Sequence, residues 1–486
     1  MIEFETVIGI EVHAQLLSKS KTFCACSASF GSKPNTNVCP VCLGMPGALP
    51  VLNEKVVELA ITAGFALNCE IQEYSVFARK NYFYPDLPKG YQISQFDLPI
   101  CTNGFLDIEV NGIKKRIGIT RIHIEEDAGK LLHQGAESIK GADYSLVDLN
   151  RASVPLIEIV SEPDIRSVEE AKTYVQTLKK ILLYLAVCDG NLEEGSLRAD
   201  VNLSLRQKGQ TSYGTRSEIK NINSFRSMER AINSEIIRQT DILQSGGRVI
   251  QQTRNYDDTS QTTTPLRSKE EAHDYRYFPD PDLIPLKLNT DKIKKIKKQI
   301  PELPQIKHER YRDTFGLTEF EITTLLNDIA MNTYFEKCLK VKSAIPAREL
   351  CKWVIGDLNA LIKDKKMSFL DSPINPEDLD ELITLIDSGK LSRKMAKDVL
   401  IKAVETGESP SKIVEKSGAA LISDQTQLKS VIEKVLSANP DAITKIKAGK
   451  TKTADFLMGQ VMRETRGQAQ PDLVRKIILE LVLQAE

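Results

Sequence analysis

The 486-residue chain lacks an excess of either charge, with 65 Lys and Arg against 66 Asp and Glu. A uniformly basic nucleic-acid coat is therefore excluded, and any RNA contact has to come from a local patch. Apolar runs of membrane-spanning length are also missing. The longest, such as Ile181 to Cys188, fall far short of the ~20 residues a span requires. The stretch Met1-Ile2-Glu3-Phe4-Glu5 is acidic and has no apolar core, so no secretory signal is expected. No G-x-G-x-x-G occurs. Gly449-Lys450-Thr451 resembles the end of a P-loop, but position 444 is Thr where that loop needs its first glycine. Nor is there a G-x-S-x-G nucleophile motif. Any nucleotide must then be held by another device.

What is present is an ordinary soluble composition, 41% hydrophobic, with length for about three domains. Nine cysteines without an export signal point to a reducing cytoplasm, where thiols bind metal or simply pack. The first ~290 residues read as strands with a few helices. Ile8, Ile10 and Val12 alternate with Gly9, Glu11 and His13, the period of a half-buried strand. Leu106, Ile108 and Val110 alternate likewise, Asn111-Gly112 supplies a hairpin turn, and Ile117 and Ile119 continue the return strand. Ser167 with Glu170 predicts a helix start ahead of Ala171, Tyr174, Val175, Leu178, Ile181, Leu182 and Leu185 on one face. After Lys287 the pattern turns helical. Asp291 to Lys298 reads as a charged connector or solvated helix face. Asn375-Pro376 and Ser392 open helices that Gly389 and Gly407 close. Gly407 to Ser411 is the best internal boundary. From Ala442 to Glu486, eight Lys/Arg against five Asp/Glu make a modestly basic tail, compatible with RNA or with a plain solubility surface.

Two groups of residues carry chemistry. Cys24-x-Cys26 and Cys39-x-x-Cys42 place four thiols on two short knuckles, the donor set of a closed, structural zinc site. Such an ion contributes on the order of 10 kcal/mol to the fold around it. The other five cysteines, Cys69, Cys101, Cys188, Cys338 and Cys351, are isolated and read as packing residues. The second group lies on strands. With Ile8, Ile10 and Val12 inward, Glu11 and His13 share the other face, about 6.6 Å apart. Glu158 points outward from Pro155 to Val160 if Ile157 and Ile159 are inward, and Arg198, Asp200, Asn202 and Ser204 are outward on Leu197 to Leu205. In Glu125-Glu126-Asp127, alternation separates Glu126 from Glu125, and Glu126 is assigned here to the charged face. Carboxylates crowded together are costly unless a cation neutralises them, and oxygen ligands suit Mg²⁺ and phosphate chemistry. The plain alternative is a solvated face with scattered charges. Arg79-Lys80-Asn81-Tyr82-Phe83-Tyr84-Pro85-Asp86 mixes cations with aromatics and can clamp phosphates or merely anchor a loop.

Val7 to Leu16, Arg79 to Asp86, Tyr91 to Phe96, His123 to Lys130, Asp148 to Arg151, Pro155 to Val160, Glu194 to Arg198 and Asp274 to Pro279 together resemble the B subunits of the tRNA-dependent amidotransferases. The resemblance implies an α+β protein: a cradle domain on an antiparallel sheet (1–292) with the zinc knuckle near 24–42, a helical domain (293–408), and a YqeY-like helical tail (409–486) that contacts tRNA. It implies an ATP-dependent kinase acting on Glu-tRNA(Gln) or Asp-tRNA(Asn), followed by amidation with ammonia from an amidase-type A subunit. A small C subunit completes a heterotrimer, and a non-discriminating aminoacyl-tRNA synthetase is a further partner. Glu11, His13, Glu126, Glu158 and Asp200 correspond to the Mg²⁺ and ATP site, with Arg79, Lys80, Ser196 and Arg198 as expected ATP contacts. The alternative reading is a zinc-containing RNA-binding translation protein without catalysis. A second is a self-contained carboxylate–amine ligase.

Overall fold

The computed structural model describes residues 3–135, 141–268, 275–342, 344–417, 425–448, 451–465 and 469–484. Asp274 and the Gly449-Lys450 pair lie outside them. The chain divides into two compact units, Met1–Pro304 and Gln305–Glu486.

The first unit is organised by a twelve-stranded sheet. Its strands are β1 (Phe4–Gln15), β2 (Glu70–Ile71), β3 (Ala78–Asn81), β4 (Tyr91–Ser94), β5 (Cys101–Val110), β6 (Ile113–Glu126), β7 (Pro155–Ser161), β8 (Leu197–Gln207), β9 (Ser217–Lys220), β10 (Gln252–Asp257), β11 (Thr262–Ser268) and β12 (Phe278–Pro279). The order is β11-β10-β9-β8-β1-β7-β6-β4-β3-β12, with β5 along the rest of the β6 edge and β2 beyond it. The pairing is antiparallel as expected, apart from the parallel β9–β10 pair. Val110 pairs with Ile113 across a two-residue turn. Asn111 and Gly112 both adopt positive φ, 52° and 77°, and a left-handed pair of that kind matches the twist of the flanking strands.

One face of this sheet is dry. Ile8, Ile10 and Val12 of β1, Ile122 and Ile124 of β6, Ile157 and Ile159 of β7, and Val201 and Leu203 of β8 form a single core with α1 (Glu54–Ala66), α2 (Val168–Tyr184) and α3 (Phe225–Gln244). Each such side chain contributes roughly 1.5–3 kcal/mol by leaving water. Ser167 caps α2 by accepting from the Glu170 N–H, and the predicted stripe from Ala171 to Leu182 is buried. Because the helices occupy one face, period two sends the intervening polar residues to the other.

The first unit runs past the expected limit at 292. α4 (Thr290–Gln299) is more than a charged connector: Ile296 is buried in the first core, Ile293 and Ile300 pack against it, and Lys292 reaches Glu54 of α1 at 2.5 Å. In the second unit, helices α5 to α9 lie between Pro304 and Asp364, followed by α10 (Pro376–Asp387), α11 (Arg393–Thr406) and α12 (Pro410–Ser417). Asn375 and Asp378 cap α10 reciprocally, and Gly407 ends α11 at φ 68°. α12 packs on α10 and α11, and Ser411 donates to Glu381 at 2.5 Å. The tail's own core therefore starts later than 409, with Leu428, Ile432, Ala454, Leu457, Val461, Val474 and Ile478 among its members.

Candidate active site

Register on the open face of the sheet decides which polar residues meet. His13 of β1 stands opposite Glu158 of β7, and Glu158 stands opposite His123 of β6. On the other side of β1, Glu11 pairs with Asp200 and His13 with Arg198 of β8. Partners across a ladder point to one face, so these side chains form a continuous band over four strands. His13 Nε2 lies 3.1 Å from Glu158 Oε2 and 3.7 Å from Glu125 Oε1. His123 Nε2 lies 3.7 Å from Glu158 and 3.8 Å from Glu125. His13, Glu125 and Glu158 each offer a donor atom within 4.8 Å of the other two. That is the spacing at which one divalent ion can be shared, and two carboxylates with one imidazole suit Mg²⁺ or Mn²⁺.

The band is balanced by cations. Lys220 binds Asp200 at 2.7 Å and Glu218 at 2.9 Å, and Arg121 lies 3.8 Å from Glu158. Arg198 binds Asp127 at 3.0 Å, and Gln15 donates to the same carboxylate at 2.8 Å. Burial alone would raise the Glu158 carboxyl. His123, His13 and Lys80 overcome it and hold the group far below the ordinary carboxylate range. Glu125 is lowered by His123, His13 and Lys80, again against burial. Burial disfavours charge on His13, but Glu158, Glu125 and Asp200 bring its pKa up to about 9, so a divalent ion bound by this set displaces the imidazole proton. Glu11 goes the other way: burial, with Glu158 and Glu218 nearby, raises its carboxyl, and it is held by the Asn202 amide at 2.9 Å.

Glu126 does not join this band. Ile122 and Ile124 face the core, so His123 and Glu125 face the charged side and Glu126 turns to the buried one. There it accepts from the Ile93 N–H at 2.8 Å and from Ser153 Oγ at 2.6 Å, and it pairs with Lys89. Anchoring the alternation on those two isoleucines, rather than on the acidic run itself, finds both Glu125 and His123, which the sequence reading did not assign. The alternation also splits the two expected cations of β3. Lys80 lies in the field of Glu125 and Glu158, 5.0 Å from the Tyr275 ring. Arg79 points away, bound to Asp280 at 2.9 Å and Asp282 at 2.8 Å and stacked on Tyr91. Ser196 is buried in the loop before β8, bonded to Asp189 and donating to the Asn191 carbonyl at 3.0 Å. It braces that loop rather than facing the band.

A cavity of about 390 Å³ adjoins the Glu11 end of the band, lined by Gly9, Glu11, Asn202, Ser204, Tyr213 and Arg216 among others. Away from the band, the Sγ atoms of Cys24, Cys26, Cys39 and Cys42 also lie within 4.8 Å of one another. Cys39 and Cys42 are 3.9 Å apart, matching the roughly 3.8 Å that tetrahedral Zn–S bonds of about 2.3 Å impose. The Cys39 N–H and the buried Lys21 ammonium donate to Cys42 Sγ, at 3.2 and 3.6 Å. Hydrogen bonding from Cys24 and the Lys21 charge lower the Cys42 thiol, and the same hydrogen bond raises that of Cys24. The remaining five cysteines are buried.

A wide sheet with one helix-covered face, a cation-ready triad on the open face and separate helical parts defines a catalytic platform outside the P-loop and Rossmann classes. Residues 6–294 match the GatB/GatE catalytic domain, and residues 333–482 match the GatB domain. The B subunit of the aspartyl/glutamyl-tRNA(Asn/Gln) amidotransferase of Persephonella marina is 51% identical over 481 residues, covering 99% of this chain and 100% of that relative. The proteins of the same name from Geotalea daltonii and Carboxydothermus hydrogenoformans are 49% and 50% identical, covering 99% and 98% of the chain and the same shares of those relatives. The chain belongs to this family of amidotransferase B subunits.

Proposed function

We propose that this chain is the tRNA-dependent amidotransferase component that activates the side-chain carboxylate of Glu-tRNA(Gln), Asp-tRNA(Asn) or both, using ATP. The observation that carries the kinase step is the convergence of His13, Glu125 and Glu158 on one open sheet face beside Lys80. A carboxylate is a poor acyl donor. Transfer of the γ-phosphoryl group to it creates an acyl phosphate, which ammonia attacks at carbon; phosphate leaves and the amide remains. A divalent ion, Mg²⁺ in this reading, held by His13, Glu125 and Glu158 with Glu11 and Asp200 alongside, would neutralise phosphoryl charge. Lys80 supplies a second positive contact on the same side. Arg198 and Gln15 fix Asp127 at the end of β6, keeping the strand that carries Glu125 in register. The cavity beside Glu11 and Asn202 is the proposed nucleotide pocket.

The chain carries no nucleophile motif for releasing ammonia from glutamine, which supports an amidase-type A subunit as the source, with a small C subunit completing the complex. The four cysteines would hold a structural zinc. The three-part division, with a tail from about 428 contacting tRNA, and a cytoplasmic location belong to the same reading; no helix among the described residues is long and apolar enough to cross a membrane. The test is ATP cleavage by the assembled amidotransferase, supplied in turn with Glu-tRNA(Gln), Asp-tRNA(Asn) and correctly charged tRNA. Cleavage that needs a mischarged tRNA supports the proposal. Cleavage indifferent to tRNA, or amidation of a free amino acid, overturns it in favour of a self-contained ligase.

A further inference from the structure

Four aromatic rings run in a connected row beside β3, β4 and β12. Tyr82 meets Tyr275 edge-on at 6.0 Å, Tyr275 meets Tyr277 at 6.0 Å and 70°, and Tyr277 lies parallel to Phe96 at 4.0 Å and 4°. The row is tied to the reacting centre at two places. Lys80 sits 5.0 Å from the Tyr275 ring and 5.9 Å from the Tyr82 ring. Ser94, two residues before Phe96, pairs with Glu125, and its Oγ is 3.5 Å from Glu125 Oε2. The row ends openly: Phe96 remains 47% exposed although its neighbour Tyr277 is stacked on it. A ring stack that stops at a half-exposed phenylalanine, next to buried charge, offers a face on which one more flat ring can continue the stack.

We infer that Phe96, backed by Tyr277, is the stacking platform for the terminal adenine of the aminoacyl-tRNA. This rests on the reading given under Proposed function. Both substrates must reach the band of Glu125, Glu158 and His13, and the cavity beside Glu11 and Asn202 lies over β1 and its two neighbours, β7 and β8. The aromatic row lies beside β4, β3 and β12, beyond β6, on strands that do not line that cavity, so the two approaches do not compete. The amino acid is esterified to the ribose of the terminal adenosine. Only that ribose, the ester and a short side chain separate the adenine from the carboxylate to be phosphorylated, so the base has to settle close to the band. Stacking tolerates any base, while the adjacent Lys80 favours the anionic end that accompanies it.

The test compares tRNA with and without its terminal adenosine, binding to the assembled amidotransferase without ATP. The intact complex is expected to lose roughly 10-fold in affinity when the adenosine is removed, and the Phe96→Ala variant is expected to lose almost none. In steady state, Phe96→Ala should raise KM for the aminoacyl-tRNA by a similar factor and leave KM for ATP unchanged, while Phe96→Trp keeps both near the parent values. Equal sensitivity of parent and Phe96→Ala complexes to the missing adenosine would overturn the assignment. So would a rise in KM for ATP alone, which would place the nucleotide's own adenine on Phe96. Both results leave tRNA-dependent ATP cleavage by the parent complex standing. Absence of that cleavage is the distinct failure of the underlying reading.

Discussion

Cys24, Cys26, Cys39 and Cys42 gather on a loop between β1 and α1, whereas His13, Glu125 and Glu158 project from three neighbouring strands of a twelve-stranded sheet. Each set has donor atoms within 4.8 Å of one another, but the two hold that spacing by different means. The strand set is fixed by ladder register and by the isoleucines packed beneath it, and its charges are balanced by Lys80, Arg121 and Lys220. Its geometry is set by the sheet, as a site that must bind and release substrates requires. The knuckle has Lys21, Thr22, Phe23 and Cys42 in its interior and otherwise relies on thiols and loop hydrogen bonds, so an ion held by the thiols would supply much of its fold. Removing one ligand should therefore break chemistry on the sheet and structure in the loop.

The largest effect is expected on the sheet. Glu125→Gln keeps the side chain's shape and removes one anionic ligand. ATP cleavage dependent on mischarged tRNA should fall at least 10²- to 10³-fold, the scale of losing one preorganised electrostatic contact. Glutamine hydrolysis by the assembled amidotransferase should persist. Glu126→Gln, one residue on, sharpens the contrast. It leaves the buried Lys89 beside a neutral amide, so thermal unfolding should move down more than the affinity for Mg²⁺ or Mn²⁺. If Glu126→Gln abolished metal binding with unchanged melting while Glu125→Gln did not, the assignment of the two carboxylates would be reversed.

That one-residue distinction marks how far the sequence could be read. Alternation in β1, β7 and β8 gave Glu11, His13, Glu158 and Asp200 on one face, because isoleucines and valines alternate with polar residues there. The end of β6 is harder. His123 to Asp127 are all buried, so the acidic run itself does not separate inside from outside, and only Ile122 and Ile124 before it set the alternation that the ladder with β7 bears out. The Asn-Gly hairpin, the α2 stripe and the Asn375 cap were legible because their signals are local. The limits of the first unit were not, since whether α4 is a connector or a core helix depends on Ile296 finding α1 in space. The partners that Arg79 and Ser196 take in the fold could not be read for the same reason: Asp280, some two hundred residues away, and Asp189, in a loop, follow no periodicity.

The next effect in size separates the loop from the sheet. Treating the assembled complex with a zinc chelator, or replacing Cys42 by Ser, should open residues 20–50 to protease and lower the melting temperature. ATP cleavage should decline less than in Glu125→Gln. The coupling between the two regions runs through Thr22, whose N–H and hydroxyl both donate to the Ser153 carbonyl at 3.0 and 3.1 Å, and through Ser153 to Glu126. Protease resistance unchanged by chelation would show that the thiols pack without an ion and would erase the contrast.

Within the sheet, the two cations of β3 give the finest comparison. Lys80→Ala should slow tRNA-dependent ATP cleavage by roughly 10-fold or more, since one positive contact to the transferred phosphoryl group is lost. An unchanged rate would remove Lys80 from the chemistry. Arg79→Ala should leave KM for ATP where it was, because the guanidinium faces Asp280, Asp282 and Tyr91 instead of the band. Its cost is to stability. The Asp280 side chain is fully buried, and leaving such a carboxylate without its partner costs about 1–3 kcal/mol, measurable by denaturant unfolding. Adjacent residues on one strand would then differ in kind, one moving the rate and the other the midpoint. Only the side of the sheet to which each side chain turns separates them.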